Sequence, residues 1–211
     1  NTPTEQLAFY KDIISEIPQS PTTCFSKSPI VSPMWAHYAN NHTGFVLEFD
    51  LEALQDHFKG NPIWDVDYRQ QPLESLKKTL ERAAVLKKPR YSYDLQEAVF
   101  VESYFAKYDD WKYEQECRFV DMNGATEKVD GNDILYIPSK LVTAIIVGPK
   151  HPESRIELSK EVAELNSLDW YELVIGKSHP KPYMKTESEQ IFTFSEESIT
   201  PAPSTCNSCS E

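Results

Sequence analysis

Residues 116–147 read ECRFVDMNGATEKVDGNDILYIPSKLVTAIIV. Three runs in this stretch, Glu116 to Asp121, Asp133 to Ile137 and Thr143 to Val147, have the β-branched and aromatic content of strands, and the dipeptides Asn123-Gly124 and Gly131-Asn132 supply turn chemistry between them. Working outward, helical spacing recurs on both sides. Leu7 to Ile17 predicts a helix stopped by Pro18, Met34 to Asn41 a helix with Ser32 as N-cap and Gly44 just past its end, and Leu51 to Phe58 a third. Pro72 opens a longer helix that ends before Pro89, Asp94 caps another through Phe105, and Pro152 to Leu165 forms the last. Further strands are predicted at Thr23 to Ser26, Phe45 to Asp50, Ile63 to Tyr68, Tyr171 to Ile175 and Gln190 to Phe194. Strands grouped around helical segments, without a regular strand–helix alternation, predict an α+β fold with a mainly antiparallel sheet and helical insertions. The length of 211 residues suits one domain over residues 1–199, followed by a disordered Pro, Ser and Thr-rich tail over 200–211.

The formal net charge of -12 argues against general nucleic-acid binding or attachment to anionic lipid, because both depend on clustered Lys and Arg. The basic run Lys77, Lys78, Arg82, Lys87, Lys88 and Arg90 reads as the solvated face of a helix. The most apolar stretch, Leu141 to Gly148, is too short to cross a bilayer, so no membrane partner is expected. Four cysteines at uneven spacing do not make a disulfide framework, and cytoplasm is the expected compartment. Cys206 and Cys209 form a lone C-x-x-C in the tail with no second pair to complete a metal site.

Two constellations carry chemistry. On a strand running from Trp111 to Val120, side chains alternate, so Glu114, Glu116 and Arg118 share one face. Two carboxylates and a guanidinium on a cleft wall would differentiate: Arg118 would hold one Glu ionised while like-charge proximity raises the other. On an exposed strand the same triplet is a solubilising ladder. The second constellation is M34-W-A-H-Y-A-N-N-H-T-G44, where Trp35, Tyr38 and His42 fall on one helical stripe and His37 points elsewhere. His37 and His42 therefore make no ready metal pair, and no metal site is expected. Trp35, Tyr38 and a neutral histidine instead suit one wall of a nucleotide or nicotinamide pocket, against the plainer reading in which the aromatics are core and the histidines satisfy carbonyls. No glycine-rich phosphate loop or nucleophile elbow is present.

Taken in order, Cys24-Phe25-Ser26, Met34-Trp35-Ala36-His37-Tyr38-Ala39 with His42 and Gly44, and Trp111-x-x-Glu114-x-Glu116-x-Arg118 resemble the bacterial domain-of-unknown-function family 2971. The resemblance implies a bacterial, cytosolic source. It also implies an N-terminal strand region with an Asn-Asp-Pro-Phe motif, which Asn1 to Pro21 lacks, so the chain, opening on Asn1, is expected to begin inside a longer protein or to have diverged. More distantly, by order of elements, the chain is similar to ADP-ribosyltransferases, whose late-strand E-x-E matches Glu114-x-Glu116. That likeness implies NAD as cofactor, Glu116 stabilising an oxocarbenium-like transition state, Glu114 activating the acceptor, Ser26 or Tyr38 as the middle element, and Trp35 or Tyr38 stacking on nicotinamide. Two activities follow as expectations. One is a nucleotide- or NAD-dependent transferase or hydrolase with Glu114, Glu116 and Arg118 as catalytic residues and Ser26, Trp35, His37, Tyr38, His42 and Trp111 around a small nucleotide-like ligand. The other is a non-catalytic ligand-sensing or interaction domain in stress or phage defence. A third reading makes Glu116, Arg118 and the Trp111 region a packing and salt-bridge cluster.

Overall fold

A computed structural model of the chain describes residues 2–17, 19–71, 73–176 and 181–202. The chain forms two compact units, each assembled from two separate stretches: residues 1–25 with 60–135, and residues 26–59 with 136–211. Helices and antiparallel-rich sheets occur in both, which is the α+β class the sequence predicts.

In the first unit three helices pack together: α1 (Pro3–Ser15), α4 (Glu74–Leu86) and α5 (Pro89–Phe105). α1 starts before its apolar stripe because Thr2 and Glu5 close a capping box, each side chain accepting from the other's backbone N–H. Ala83 of α4 and Leu95 and Val99 of α5 are buried, with Phe9, Tyr10, Ile13 and Ile14 of α1 against them. α4 ends where Lys87 turns left-handed at φ 49°, and α5 begins at once with Pro89 in its first turn. Asp94 therefore lies inside α5 and does not cap it; the fixed φ of proline suits the first helical position better.

The three-stranded sheet of this unit has the order β1 (Thr22–Ser26), β6 (Glu116–Val120), β3 (Ile63–Asp65), with β3 and β6 antiparallel. The run Ile63 to Tyr68, predicted as one strand, breaks at Val66, and β4 (Asp67–Arg69) pairs in parallel with β5 (Ala106–Tyr108). β7 (Thr126–Val129) and β8 (Asn132–Leu135) form a hairpin whose turn residues Asp130 and Gly131 both have positive φ, at 49° and 83°, as a two-residue turn of type I′ requires. The segment leading into this hairpin is tied down by Asp121, 6% exposed, which accepts from the backbone N–H groups of Asn123, Ala125 and Thr126 and from the Thr126 hydroxyl at 2.6–3.2 Å. Asp121→Ala removes an acceptor from all four donors, of which the Asn123 N–H keeps Asn61 Oδ1 at 3.1 Å, and we expect it to lower unfolding free energy by about 2 kcal/mol in urea titrations. A change within the few tenths typical of surface substitutions would contradict that anchoring role.

The second unit is built on a six-stranded sheet in the order β13 (Ser198–Pro201), β12 (Ile191–Ser195), β11 (Tyr183–Lys185), β10 (Asp169–Val174), β9 (Val142–Val147), β2 (Phe45–Phe49). Only β9 and β10 run parallel, with α6 (Glu153–Leu165) as the crossover between them. The other pairings are antiparallel. Alternation sorts the strands' side chains onto two faces. Ala144, Ile146, Tyr171, Leu173 and Met184 pack against Trp35 and Ala39, while Ile145 and Val147 pack against Ala163 of α6. Trp35 belongs to α2 (Ser32–Tyr38), whose N-cap is Val31, one residue before the predicted Ser32, and α3 (Leu51–His57) follows β2 with Asp50 as its cap. Thr200 and Pro201 lie in β13, which corrects the expectation of a tail disordered from residue 200. Cys206 and Cys209 fall outside the described residues. No helix among the described residues is long and apolar enough to cross a membrane.

Candidate functional site

The segment Trp111 to Val120 is not one strand. Asp109–Glu114 is a 3-10 turn, Gln115 is left-handed at φ 46°, and only Glu116–Val120 is extended. Strand alternation therefore does not bring Glu114 to Glu116. A cation does: Lys107, on β5, donates to the Glu114 carboxylate and, at 3.2 Å, to Glu116 Oε2. Both carboxylates are buried, at 2% and 6% exposure.

Arg118, two residues along β6 and on the same face as Glu116, closes the far side. Its Nε and Nη2 donate to the two Glu116 carboxylate oxygens at 2.7 and 3.0 Å, and its Nη1 donates to the Tyr104 carbonyl at 2.6 Å. The Glu116 backbone N–H donates to the Tyr68 hydroxyl at 2.7 Å. Desolvation acts to raise the Glu116 pKa, yet hydrogen bonds from Arg118, Cys24 and Lys107 prevail and hold the carboxyl down at about 2. Arg118 is raised, chiefly by that hydrogen bond to Glu116. Lys107 is also raised: desolvation opposes, but its bonds to Glu114 and Glu116 win. The Cys24 thiol, on β1, goes up to about 11 through partial desolvation and the neighbouring Glu116 carboxylate, although the residue as a whole is exposed. At neutral pH this leaves a fixed carboxylate, two fixed cations and an un-ionised thiol. None of these four groups changes charge near pH 7, so none is poised as a general acid or base, and Cys24 is not an activated nucleophile.

The ammonium of Lys107 also lies 5.0 Å from the Trp111 ring centroid, and Trp111 is 44% exposed. Beside it, Arg69, Gln70, Gln71, Glu102, Ala106, Lys107 and Tyr108 line a shallow depression of about 210 Å³. Arg69 is held by Glu102 at 3.0 Å and Asp67 at 3.0 Å, and Gln70 donates to Asp109 at 3.1 Å. Lys107 and Arg69 were not singled out by sequence reasoning. Lys107 stands just ahead of the Trp111 segment without a periodic pattern to mark it, and nothing local shows that β5 would turn it toward two carboxylates seven and nine residues later.

Of the other predicted site residues, Trp35, His37, Tyr38 and His42, with Ser26, belong to the second unit, whereas Glu114, Glu116, Arg118 and Trp111 belong to the first. Trp35 is core, 2% exposed, its Nε1 donating to the Pro29 carbonyl at 2.6 Å, which is the plainer of the two readings of that helix. α2 stops at Tyr38, and Asn40, Asn41 and His42 all take positive φ, so His42 leaves the stripe it was predicted to share with Trp35 and Tyr38. Its backbone N–H bonds the Trp35 carbonyl at 3.1 Å and its carbonyl accepts from the Lys150 backbone N–H at 3.1 Å. His37 and Tyr38 are exposed, and the Ser26 hydroxyl donates to the Ser28 carbonyl at 3.3 Å.

Among known families, the model described as a protein of unknown function (DUF2971) matches residues 34–119. The match agrees with the resemblance that the motifs carry, and it takes in the M-W-x-H-Y-A and W-x-x-E-x-E-x-R motifs while leaving Cys24-Phe25-Ser26 outside. Searches of curated proteins and of solved structures returned no match.

Proposed function

We propose that the first unit is a recognition domain for a small, polar, nucleoside-like ligand, in which Glu114, Glu116 and Arg118 position the binding residues and do not transfer protons. The observation that carries this reading is Lys107: it lines the depression on one side and is held on the other by both buried carboxylates. A side chain whose donors are directed in advance binds at a lower entropic cost. The lining offers donors and acceptors together, with Glu102 as carboxylate, Gln70 and Gln71 as amides, and the half-exposed Tyr108 ring as a stacking surface. At about 210 Å³ the depression is below the ~300–1,000 Å³ of sites that enclose a whole drug-sized ligand, which suits a base or sugar with the remainder in solvent.

The test is calorimetric titration of nucleosides, nucleotides and NAD into the full chain and into Tyr108→Ala and Gln71→Ala, two exposed positions whose loss spares the ion pairs. We expect one ligand of this class to bind and both variants to weaken it about tenfold. Binding that ignores both substitutions refutes the location. The transferase reading is separated by assaying free nicotinamide from NAD, with Glu116→Gln as control: release by the unaltered chain above that of the variant would establish catalysis in place of sensing.

A further inference from the structure

We propose, resting on the depression beside Lys107 as the ligand site, that its ligand carries no phosphate and is a neutral or cationic nucleoside-like molecule presenting N–H donors. Two cations reach the depression, Arg69 from β4 and Lys107 from β5, and each is held between two carboxylates. Arg69 Nη1 pairs with Glu102 of α5 and Nη2 with Asp67, both at 3.0 Å. Lys107 donates to Glu114 and Glu116, and Arg118 is engaged with Glu116 in turn. Gln70, in the lining, donates to the Asp109 carboxylate at 3.1 Å. The side chains so connected hold five carboxylates against three cations. The field in the depression is therefore negative, in a chain whose net charge is already -12, and it opposes an anionic ligand.

Geometry excludes a phosphate as well as charge does. Arginine takes phosphate through two parallel N–H groups on one edge of the guanidinium. Both Nη atoms of Arg69 are engaged, and its Nε is buried with no hydrogen-bond partner among the described residues, so no edge is open for a two-point contact. Of the three N–H groups of the Lys107 ammonium, two are directed at carboxylates, which leaves one, enough for a single carbonyl or ring-nitrogen acceptor. The acceptors in the lining are less committed. Arg69 binds Glu102 through Oε2, leaving Oε1, and Gln70 bonds Asp109 through its amide nitrogen, leaving its amide oxygen. A carboxylate oxygen and an amide oxygen beside one cationic N–H suit a base that carries an exocyclic amino group next to a ring nitrogen. NAD, with its two phosphates, falls on the disfavoured side.

Calorimetric titration of the common nucleosides and their 5′-monophosphates into the full chain, at low and at high salt, tests this. The tightest nucleoside is expected to bind about tenfold or more tightly than its monophosphate at low salt, and the gap should narrow in high salt as screening weakens the repulsion. Adenosine, cytidine or guanosine should bind ahead of uridine, which has no amino group. Glu102→Gln removes one negative charge and releases Arg69 Nη1, so it should weaken the nucleoside and close or invert the gap, with circular dichroism unchanged. Should that variant lose its fold, the salt series on the unaltered chain decides alone. A monophosphate that binds as tightly as its nucleoside, or more tightly, overturns the exclusion of phosphate while leaving the depression as the site. A gap that salt does not alter overturns charge as its cause, and uridine as the tightest ligand overturns the demand for N–H donors. Binding by no nucleoside and no nucleotide overturns this ligand class and the recognition site together.

Discussion

Replacing Arg118 by methionine is expected to lower the unfolding free energy of the protein by about 3–5 kcal/mol, the range for removing one partner of a buried ion pair. Glu116 would lose its two-point contact at 2.7 and 3.0 Å while staying buried, and the Tyr104 carbonyl would lose its donor. Lysine is a poor substitute, since a single ammonium cannot meet both carboxylate oxygens in the plane of the fork. Adding Glu116→Gln to Arg118→Met should recover part of the loss, because the cost lies in the uncompensated charge more than in the missing bond. The same pair sets an acid limb. The Glu116 carboxyl is held at about 2 in the folded state against an ordinary 4.5, so its contribution is complete above the ordinary value and drains away as pH falls from there toward 2. A shift of that size corresponds to about 3 kcal/mol at most. Denaturant midpoints measured at a series of acidic pH values should fall more steeply for the unaltered chain than for Arg118→Met. Parallel slopes would mean that Arg118 does not hold the carboxylate ionised.

That network also marks where reading the sequence succeeds and where it stops. Glu116 and Arg118 are legible as neighbours on one face because β6 is regular and its period is two. Glu114 reaches the same place by another route: the left-handed Gln115 breaks the strand, and Lys107 bridges the gap from β5. A pairing of this kind depends on the parallel contact between β4 and β5, and no local pattern encodes it. The helix stripe through Trp35, Tyr38 and His42 fails for a similar reason. Three consecutive positive-φ residues, Asn40, Asn41 and His42, unwind the chain, and asparagine tolerates that conformation well enough for the turn to form without the glycine that sequence reasoning looks for. The class of fold was legible because it rests on the count and grouping of elements, which survive such shifts. The short strands β7, β11 and β13 were not, since three or four residues carry too little periodicity to register.

Trp35→Ala is the other substitution expected to act strongly, at about 3–5 kcal/mol, because it empties the space of a side chain that is 2% exposed and central to the sheet's inner face. The indole is enclosed by backbone as well as by side chains. A Cβ placed on Gly148 would meet Trp35 Cζ3 at 3.1 Å and the His42 carbonyl oxygen at 2.2 Å, so the ring and the 40–44 turn close on a glycine that leaves no room to collapse into the vacated volume. Trp35→Phe keeps most of the apolar area and loses the donor to the Pro29 carbonyl, and should cost about 1–2 kcal/mol. The graded pair separates a core tryptophan from the wall of a binding pocket. In a pocket wall, alanine would abolish ligand binding with little change in stability, whereas in a core the two substitutions rank in stability as given. Urea unfolding of both variants, followed by tyrosine fluorescence or circular dichroism so that loss of the indole does not remove the signal, decides between them.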